Sequence, residues 1–355
     1  MKKLIKMSII IVIIAMFSLV CSAEAPEDYL SDFQNIIPED SPFFGVPEED
    51  ITSVLGVEAL FSELLSGEGI GGAFSFLLSL FGIIALMGVA SSLGERGSAA
   101  EGVVGILCSS VLLSGLLPLF SEAAEAMEKI NLFFLSLSPL MVSLTLAGGG
   151  HGTAAVQSTG TAAVTSLVEL FTGKLFISII SLSFAASSLA SLGDGGIKRL
   201  SGTVRSIFLW LLGIATAVLS SVLGLQTLIA SSADSAGMRA AKYAASGMIP
   251  IVGTSISGAL STLASGLSYV KDIVGGVSVG VIIFYFLSPL ISLLLYRLAL
   301  SVAVFTSELI GSPAAAGIFT SFRFSLDSLT AVYALSSLLY IFEIILFIKS
   351  GVALS

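Results

Sequence analysis

The feature that most constrains this chain is a series of apolar stretches beyond Gly69 that carry no charge for close to the roughly 20 residues needed to span a bilayer. The composition agrees, since 55% of the residues are apolar, 11% are charged and the mean hydropathy is +1.04. A water-soluble fold of this size needs a charged surface. The sequence therefore predicts an all-α, polytopic membrane protein with about 7 to 9 transmembrane or re-entrant helices after a signal peptide.

The N-terminus has the pattern of a secretory signal. Three lysines precede an apolar core in MKKLIKMSIIIVIIAMFSLVCSAEA, and small residues end it. This pattern predicts a signal peptide over residues 1–23, with cleavage after Ala23. An uncleaved anchor is an alternative, because the apolar run is long for a signal. Lipidation of Cys21 is another, although Val20 stands where a small residue is wanted.

Residues 24–68 form an acidic segment. It carries twelve Asp and Glu residues and no Lys or Arg. A loop without basic residues beside a membrane is typical of a translocated segment, so we expect it to be extracytoplasmic. Within it, ITSVLGVEALFSELLSG has the spacing of a short amphipathic helix that could lie on the membrane, and a solvated linker is the alternative.

Residues 69–355 are predicted to be a multi-pass helical membrane domain. Spanning segments begin at Ile70, Val103 and Ile130. The first connector contains Arg96 and is expected inside, whereas the second is acidic and is expected outside. The acidic residues of that second connector are Glu122, Glu125 and Glu128.

The second half of this domain continues the pattern. Residues 153–171 and the segment from Leu175 are predicted to form a hairpin, which puts the following basic loop inside. Another span begins at Ile207 and is followed by a polar stretch. Residues 273–305 suffice for two passes bent near Pro289, and a last helix is predicted over residues 329–348. The side of the C-terminus stays open.

Two stripes run along the segment IPIVGTSISGALSTLASGLSYVKD when it is drawn as a helix. One is aliphatic; the other is small or hydroxylated and comprises Thr254, Gly258, Ser261, Ser265 and Ser268. Three interpretations are open for the hydroxylated stripe: a tight helix-packing seam, a wall lining a hydrated path, and a re-entrant helix. Gly276 and Gly280 form a GxxxG pattern, a further candidate for helix packing.

The sequence offers little for catalysis. His151 is the single histidine, and no GxxxxGK[ST] phosphate loop occurs. We therefore predict no enzyme activity and no catalytic, cofactor-binding or metal-binding residues. Cys108 is expected to pack as a small apolar side chain. Most charges near membrane depth are expected to snorkel at helix ends, and Glu169 could pair with Lys174. These charges are Glu169, Lys174, Arg297, Glu308 and Glu343.

Residues 206–290 contain a recognisable set of motifs: Trp210-Leu211-Leu212-Gly213, Gln226, Asp234, Lys242, Ile249-Pro250-Ile251-Val252-Gly253, Lys271, Gly275 and Gly280. In these residues the chain resembles the core of the stage III sporulation protein AE family. Asp272 departs from the family pattern, in which an amide is more usual.

This resemblance implies a membrane component of the channel or secretion complex that endospore-forming bacteria build between mother cell and forespore. The chain would lie in the mother-cell membrane surrounding the forespore, with other channel proteins of the same operon, including an ATPase and ring-forming membrane proteins. It implies a hetero-oligomeric complex, no cofactor and no nucleic-acid partner. An independent secondary transporter or permease is the alternative function, and a scaffold without a conduit is a third.

Overall fold

A computed structural model describes residues 27–46, 68–92, 97–148, 150–172, parts of 203–224 and 253–350. In these residues helices are joined by turns and no strand occurs, which confirms the all-α prediction. The signal peptide, the amphipathic segment, the second helix of the predicted hairpin and the polar stretch after the span from Ile207 lie outside the described residues. The helices are α1 Glu27–Gln34, α2 Glu68–Ser92, α3 Gly97–Ala147, α4 His151–Thr172, α5 Gly253–Leu309 and α6 Pro313–Lys349.

Four of these helices, α2, α3, α5 and α6, are long and apolar enough to cross a membrane. A shorter apolar helix, Ser206–Val218, lies where a further span is predicted. The chain is therefore a helical membrane protein, and the count of about 7 to 9 passes stays a prediction.

Helix α3 corrects the predicted boundary between two passes. It runs unbroken for 51 residues, so the segments from Val103 and Ile130 belong to one helix. The acidic residues between them lie inside α3 and do not form a loop. The reason is intrinsic propensity: SEAAEAMEKI contains Ala, Glu, Met and Lys, all strong helix formers, and has no glycine or proline.

Helix α5 corrects a second boundary. It spans 57 residues and passes through Pro289, where the sequence analysis placed a bend between two passes. A proline removes one backbone hydrogen bond, and packed neighbours in an apolar bundle can compensate for that loss.

The turn after α5 is where the chain reverses. Gly311 has a φ of 78°, and the N–H of Ser312 donates to the carbonyl of Ser307 at 3.0 Å. This left-handed glycine cap satisfies carbonyls that a helix end leaves unpaired. Helix α6 then starts at Pro313, sixteen residues before the predicted start at Leu329, because proline is well suited to the first turn of a helix.

Close packing fixes the directions of the helices. Helices α5 and α6 form an antiparallel pair, and a Cβ atom on Gly275 would overlap the side chain of Ile348. Helices α2 and α3 meet where a Cβ on Gly115 would lie 2.5 Å from the ring of Phe76. These positions need glycine because another helix occupies the space of a side chain.

Helix α4 folds back on the C-terminal part of α3. The Ser138 hydroxyl donates to Thr161 at 3.3 Å, and Thr145 donates to the side-chain oxygen of Gln157 at 2.9 Å. Helices α3 and α4 therefore form the antiparallel pair that closes this end of the bundle, with hydroxyl groups bonded across the contact.

Candidate functional site

The hydroxylated stripe lies on the N-terminal part of α5. Thr254, Gly258, Ser261, Ser265 and Ser268 all fall on this helix, and the side chains are described from Ser265 onward. Ser265 and Ser268 are exposed. The role of the stripe stays a prediction, because its exposure is compatible with a conduit wall and with a contact to another protein.

The aliphatic side chains that the structure describes on the same part of α5 face the bundle. Leu267, Val270 and Val274 are buried, the last two completely. Burying these side chains orients α5, and the helical period then turns Ser265 and Ser268 away from the core.

The predicted GxxxG pair lies further along α5. Gly276 is half-buried and Gly280 is buried. The close approach to α6 that the structure describes is at Gly275, against Ile348. Gly275 is among the residues that match the family, although the GxxxG spacing does not include it.

Lys271 connects α5 to the end of α6. Its side chain is 2% exposed, and its amino group donates to the carbonyl oxygen of Ser350 at 2.5 Å and to its hydroxyl at 2.7 Å. The amino group also lies 5.0 Å from the centre of the Phe347 ring. A cation at a helix C-terminus interacts favourably with the helix dipole. Lys271 is therefore a buried cation that joins the two helices.

A second polar contact joins the acidic N-terminal segment to the long helices. Asp40 accepts hydrogen bonds from Lys129 of α3, at 2.8 Å, and from the hydroxyl of Tyr285 of α5. In the same segment, Leu30 and Phe33 of α1 are buried. The segment therefore docks on α3 and α5 through apolar anchors and one carboxylate.

Docking through Asp40 predicts a dependence on pH. Hydrogen bonds from Lys129 first and from Tyr285 second hold the pKa of the Asp40 carboxyl below its usual value. A lowered pKa stabilises the docked state above the unfolded pKa of roughly 3.9, and this stabilisation is lost as pH falls through the folded pKa. We expect amide exchange in α1, corrected for intrinsic rates, to accelerate below about pH 4.

Two variants test this pH dependence. Asp40→Asn should remove the Asp40 contribution to it, whereas Asp32→Asn, at an exposed position of α1, should leave it in place. Exchange in α1 that responds to acid equally in both variants would contradict the role of Asp40.

A third polar contact lies inside the span of α5. The Arg297 guanidinium pairs with the carboxylate of Asp327 in α6, and the side chains are 43% and 35% exposed. Arg297 is about 18 Å along the helix from Leu309, at 1.5 Å per residue. Arg297 is therefore an exception to the expectation that most of these charges snorkel at helix ends, because it lies within the helix and its partner is carried by the neighbouring helix.

The other charges expected at membrane depth lie in different surroundings. Glu169 and Glu308 are exposed, and Glu343 is buried in α6. Lys174, the predicted partner of Glu169, lies outside the described residues. Cys108 is fully buried in α3, as expected for a small apolar side chain. Over the described part of the chain, no three His, Cys, Asp or Glu side chains are grouped to hold a metal ion.

Apolar helices long enough to cross a bilayer, with an ion pair between two of them, define an integral membrane protein of the helical class. The model of the family described as "Stage III sporulation protein AE" matches residues 49–351. The chain belongs to this family, which confirms the resemblance and supports a role in sporulation.

A relative in Bacillus subtilis (strain 168), named "Stage III sporulation protein AE", is 23% identical over 282 residues. The alignment covers 78% of this chain and 70% of that protein. No solved structure matches the chain.

Proposed function

We propose that this protein is a membrane subunit of a multiprotein conduit or secretion complex that works between mother cell and forespore during sporulation. It would lie in the mother-cell membrane around the forespore and assemble with other sporulation channel proteins, including an ATPase and ring-forming proteins. Membership of the sporulation family supports a role in sporulation. The resemblance of residues 206–290 to that family supports assembly with other proteins, and an ATPase partner fits a chain in which no GxxxxGK[ST] phosphate loop occurs.

The observation that carries the conduit is the orientation of α5. Leu267, Val270 and Val274 are buried in the bundle, whereas Ser265 and Ser268 point away from it. A weakly polar face suits a path that passes varied solutes. In the complex, this face and neighbouring subunits would together line a water-filled path.

Cysteine labelling tests the conduit. In complexes isolated from sporulating cells, cysteines at Ser265 and Ser268 should react with a small water-soluble thiol reagent, and a cysteine at Leu267 should not, because that side chain is buried. Ser268→Arg should block sporulation while the partner proteins still co-purify. Ser288→Arg is the matched control, since Ser288 is also exposed on α5 but lies on the opposite face.

Two results would contradict the conduit. If cysteines at both serine positions fail to react with the reagent in a functional complex, this face does not line a water-filled path. Loss of the complex in Ser268→Arg, with Ser288→Arg assembled, would identify the face as a packing seam between proteins.

An independent secondary transporter is the second candidate, and the Arg297–Asp327 pair favours it. Ionisable groups within spanning helices often mark substrate or ion pathways. Liposomes containing this chain alone should then release a trapped small solute. Release that needs the partner proteins would instead favour the conduit.

A further inference from the structure

Three helices of this bundle are too long for one bilayer. At 1.5 Å per residue, α3 is about 77 Å, α5 about 86 Å and α6 about 56 Å long, against a hydrocarbon core of about 30 Å. The full length of α3 and α5 cannot lie among acyl chains unless the helices tilt far beyond the usual range. One part of the bundle must therefore stand outside the hydrocarbon.

A cluster of polar residues lies near the middle of the bundle. We call it the waist and define it by Asp40, Glu125, Lys129 and Tyr285. Lys129 binds Asp40 at 2.8 Å and lies 3.8 Å from Glu125, and Tyr285 donates to Asp40. The waist lies about 36 Å from the end of α5 at Leu309 and about 27 Å from the end of α3 at Ala147.

The part on one side of the waist, the proximal half, is about as thick as a bilayer. It comprises α2, the first half of α3, the end of α5 and the start of α6. Two contacts place α2 against the end of α5: a Cβ on Gly72 would lie 3.1 Å from the hydroxyl of Tyr296, near the middle of this half, and one on Gly88 would lie 2.9 Å from Ile310 at its far end. From Gly72 to Gly88 the helix rises about 24 Å, and its full length is about 37 Å.

The outward surface of the proximal half consists largely of big apolar side chains. Most of the exposed large hydrophobic residues that the structure describes lie in this half, on α2, α3, α5 and the helix Ser206–Val218. They include Phe74, Val89, Val103, Trp210, Leu298 and Phe305, each more than half exposed. The Arg297–Asp327 pair lies midway along this half, about 18 Å along α5 from both Tyr285 and Leu309, and its two charges are paired with each other.

The other part of the bundle, the distal half, has a different surface. It comprises the second half of α3, α4, the start of α5 and the end of α6. Exposed positions of α4 are small or hydroxylated over most of its length, as are Ser265 and Ser268 of α5. Large apolar residues are exposed there at fewer positions, such as Leu132 and Leu338. The α4 positions are Ala155, Ser158, Thr159, Ala162 and Ser166.

We infer that the bilayer surrounds the proximal half, that the waist marks one membrane surface, and that the distal half stands outside the acyl chains. Lipid tails are matched by large aliphatic and aromatic side chains, whereas charged groups are costly among them and stable at the interface. The waist holds two carboxylates and an ammonium group, so it fits a headgroup layer. This inference concerns the lipid contact alone and does not depend on the proposed conduit.

Quenching by brominated lipid tests it. The full-length protein, with Cys21→Ser and Cys108→Ala, is labelled with bimane at single exposed positions and reconstituted in phosphatidylcholine brominated on the acyl chains. Labels at Leu78→Cys and Leu298→Cys should lose about half of their fluorescence or more, because they contact acyl chains. Labels at Ser158→Cys and Ser268→Cys in the distal half should lose little.

Only labels that contact the brominated acyl chains are quenched. A distal label covered by water or by another protein therefore stays unquenched, as the inference expects. Equal quenching of the two pairs, stronger quenching of the distal pair, or no quenching at either pair would overturn the inference. All four positions are exposed, so the substitutions should leave the packing of the bundle intact.

Discussion

Lys271→Met is expected to lower the free energy of unfolding by about 2 kcal/mol, because it removes two charge-assisted hydrogen bonds and leaves the Ser350 carbonyl unpaired. Methionine keeps the apolar stem against Phe347, so the change isolates the amino group from the packing. Relief of the cost of burying a charge offsets part of the loss, which is why the expected effect stays below that of two full bonds. Thermal unfolding in detergent, followed by the loss of the monodisperse peak, measures it.

Lys349→Met provides the matched control for Lys271. Lys349 lies in the last turn of α6, next to Ser350, but its side chain is exposed. We expect its replacement to change stability by less than about 0.5 kcal/mol. Equal effects of the two substitutions would show that the buried amino group does not hold the end of α6.

Asp327→Leu is expected to be more damaging, at about 3 kcal/mol, because it leaves the Arg297 guanidinium without its carboxylate at membrane depth. The double variant Arg297→Leu/Asp327→Leu should recover most of this loss, since it removes both charges from the span of α5 and α6. The pattern of a damaging single change and a tolerated double change is the signature of an ion pair in an apolar environment.

For the single and the double variant, the measurements are the amount of protein inserted in the membrane and the thermal stability in detergent. Glu308→Leu, at an exposed acidic residue near the end of α5, serves as the control and should have a small effect. A double variant as unstable as Asp327→Leu would mean that the Asp327 carboxylate acts through a group other than Arg297.

Where the helices begin and end was only partly predictable. The sequence predicts passes of about one bilayer length each. Boundaries between passes were therefore expected at the acidic stretch of α3 and at Pro289 of α5. The chain instead continues as a helix through both places. Local propensity outweighs charge at Glu122 to Lys129, and the loss of one hydrogen bond at Pro289 is tolerated inside a packed bundle.

The inward face of α5 illustrates what the sequence alone determined. The period of Leu267, Val270 and Val274 already predicts an aliphatic stripe, and these side chains are buried. The apolar composition likewise determined that the chain is a helical membrane protein, because lipid requires each backbone polar group to bond within its own helix. Both conclusions depend on interactions between residues close in sequence.

The tertiary structure decided which polar groups meet. Lys271 binds Ser350, 79 positions away, and Asp40 binds Tyr285, 245 positions away. No local period records such a pair, because partners on different helices are brought together by the packing of apolar faces and by close contacts such as that at Gly275. The sequence therefore determined the environment and the faces of the helices, whereas the partners of its charged residues depend on how the helices pack against one another.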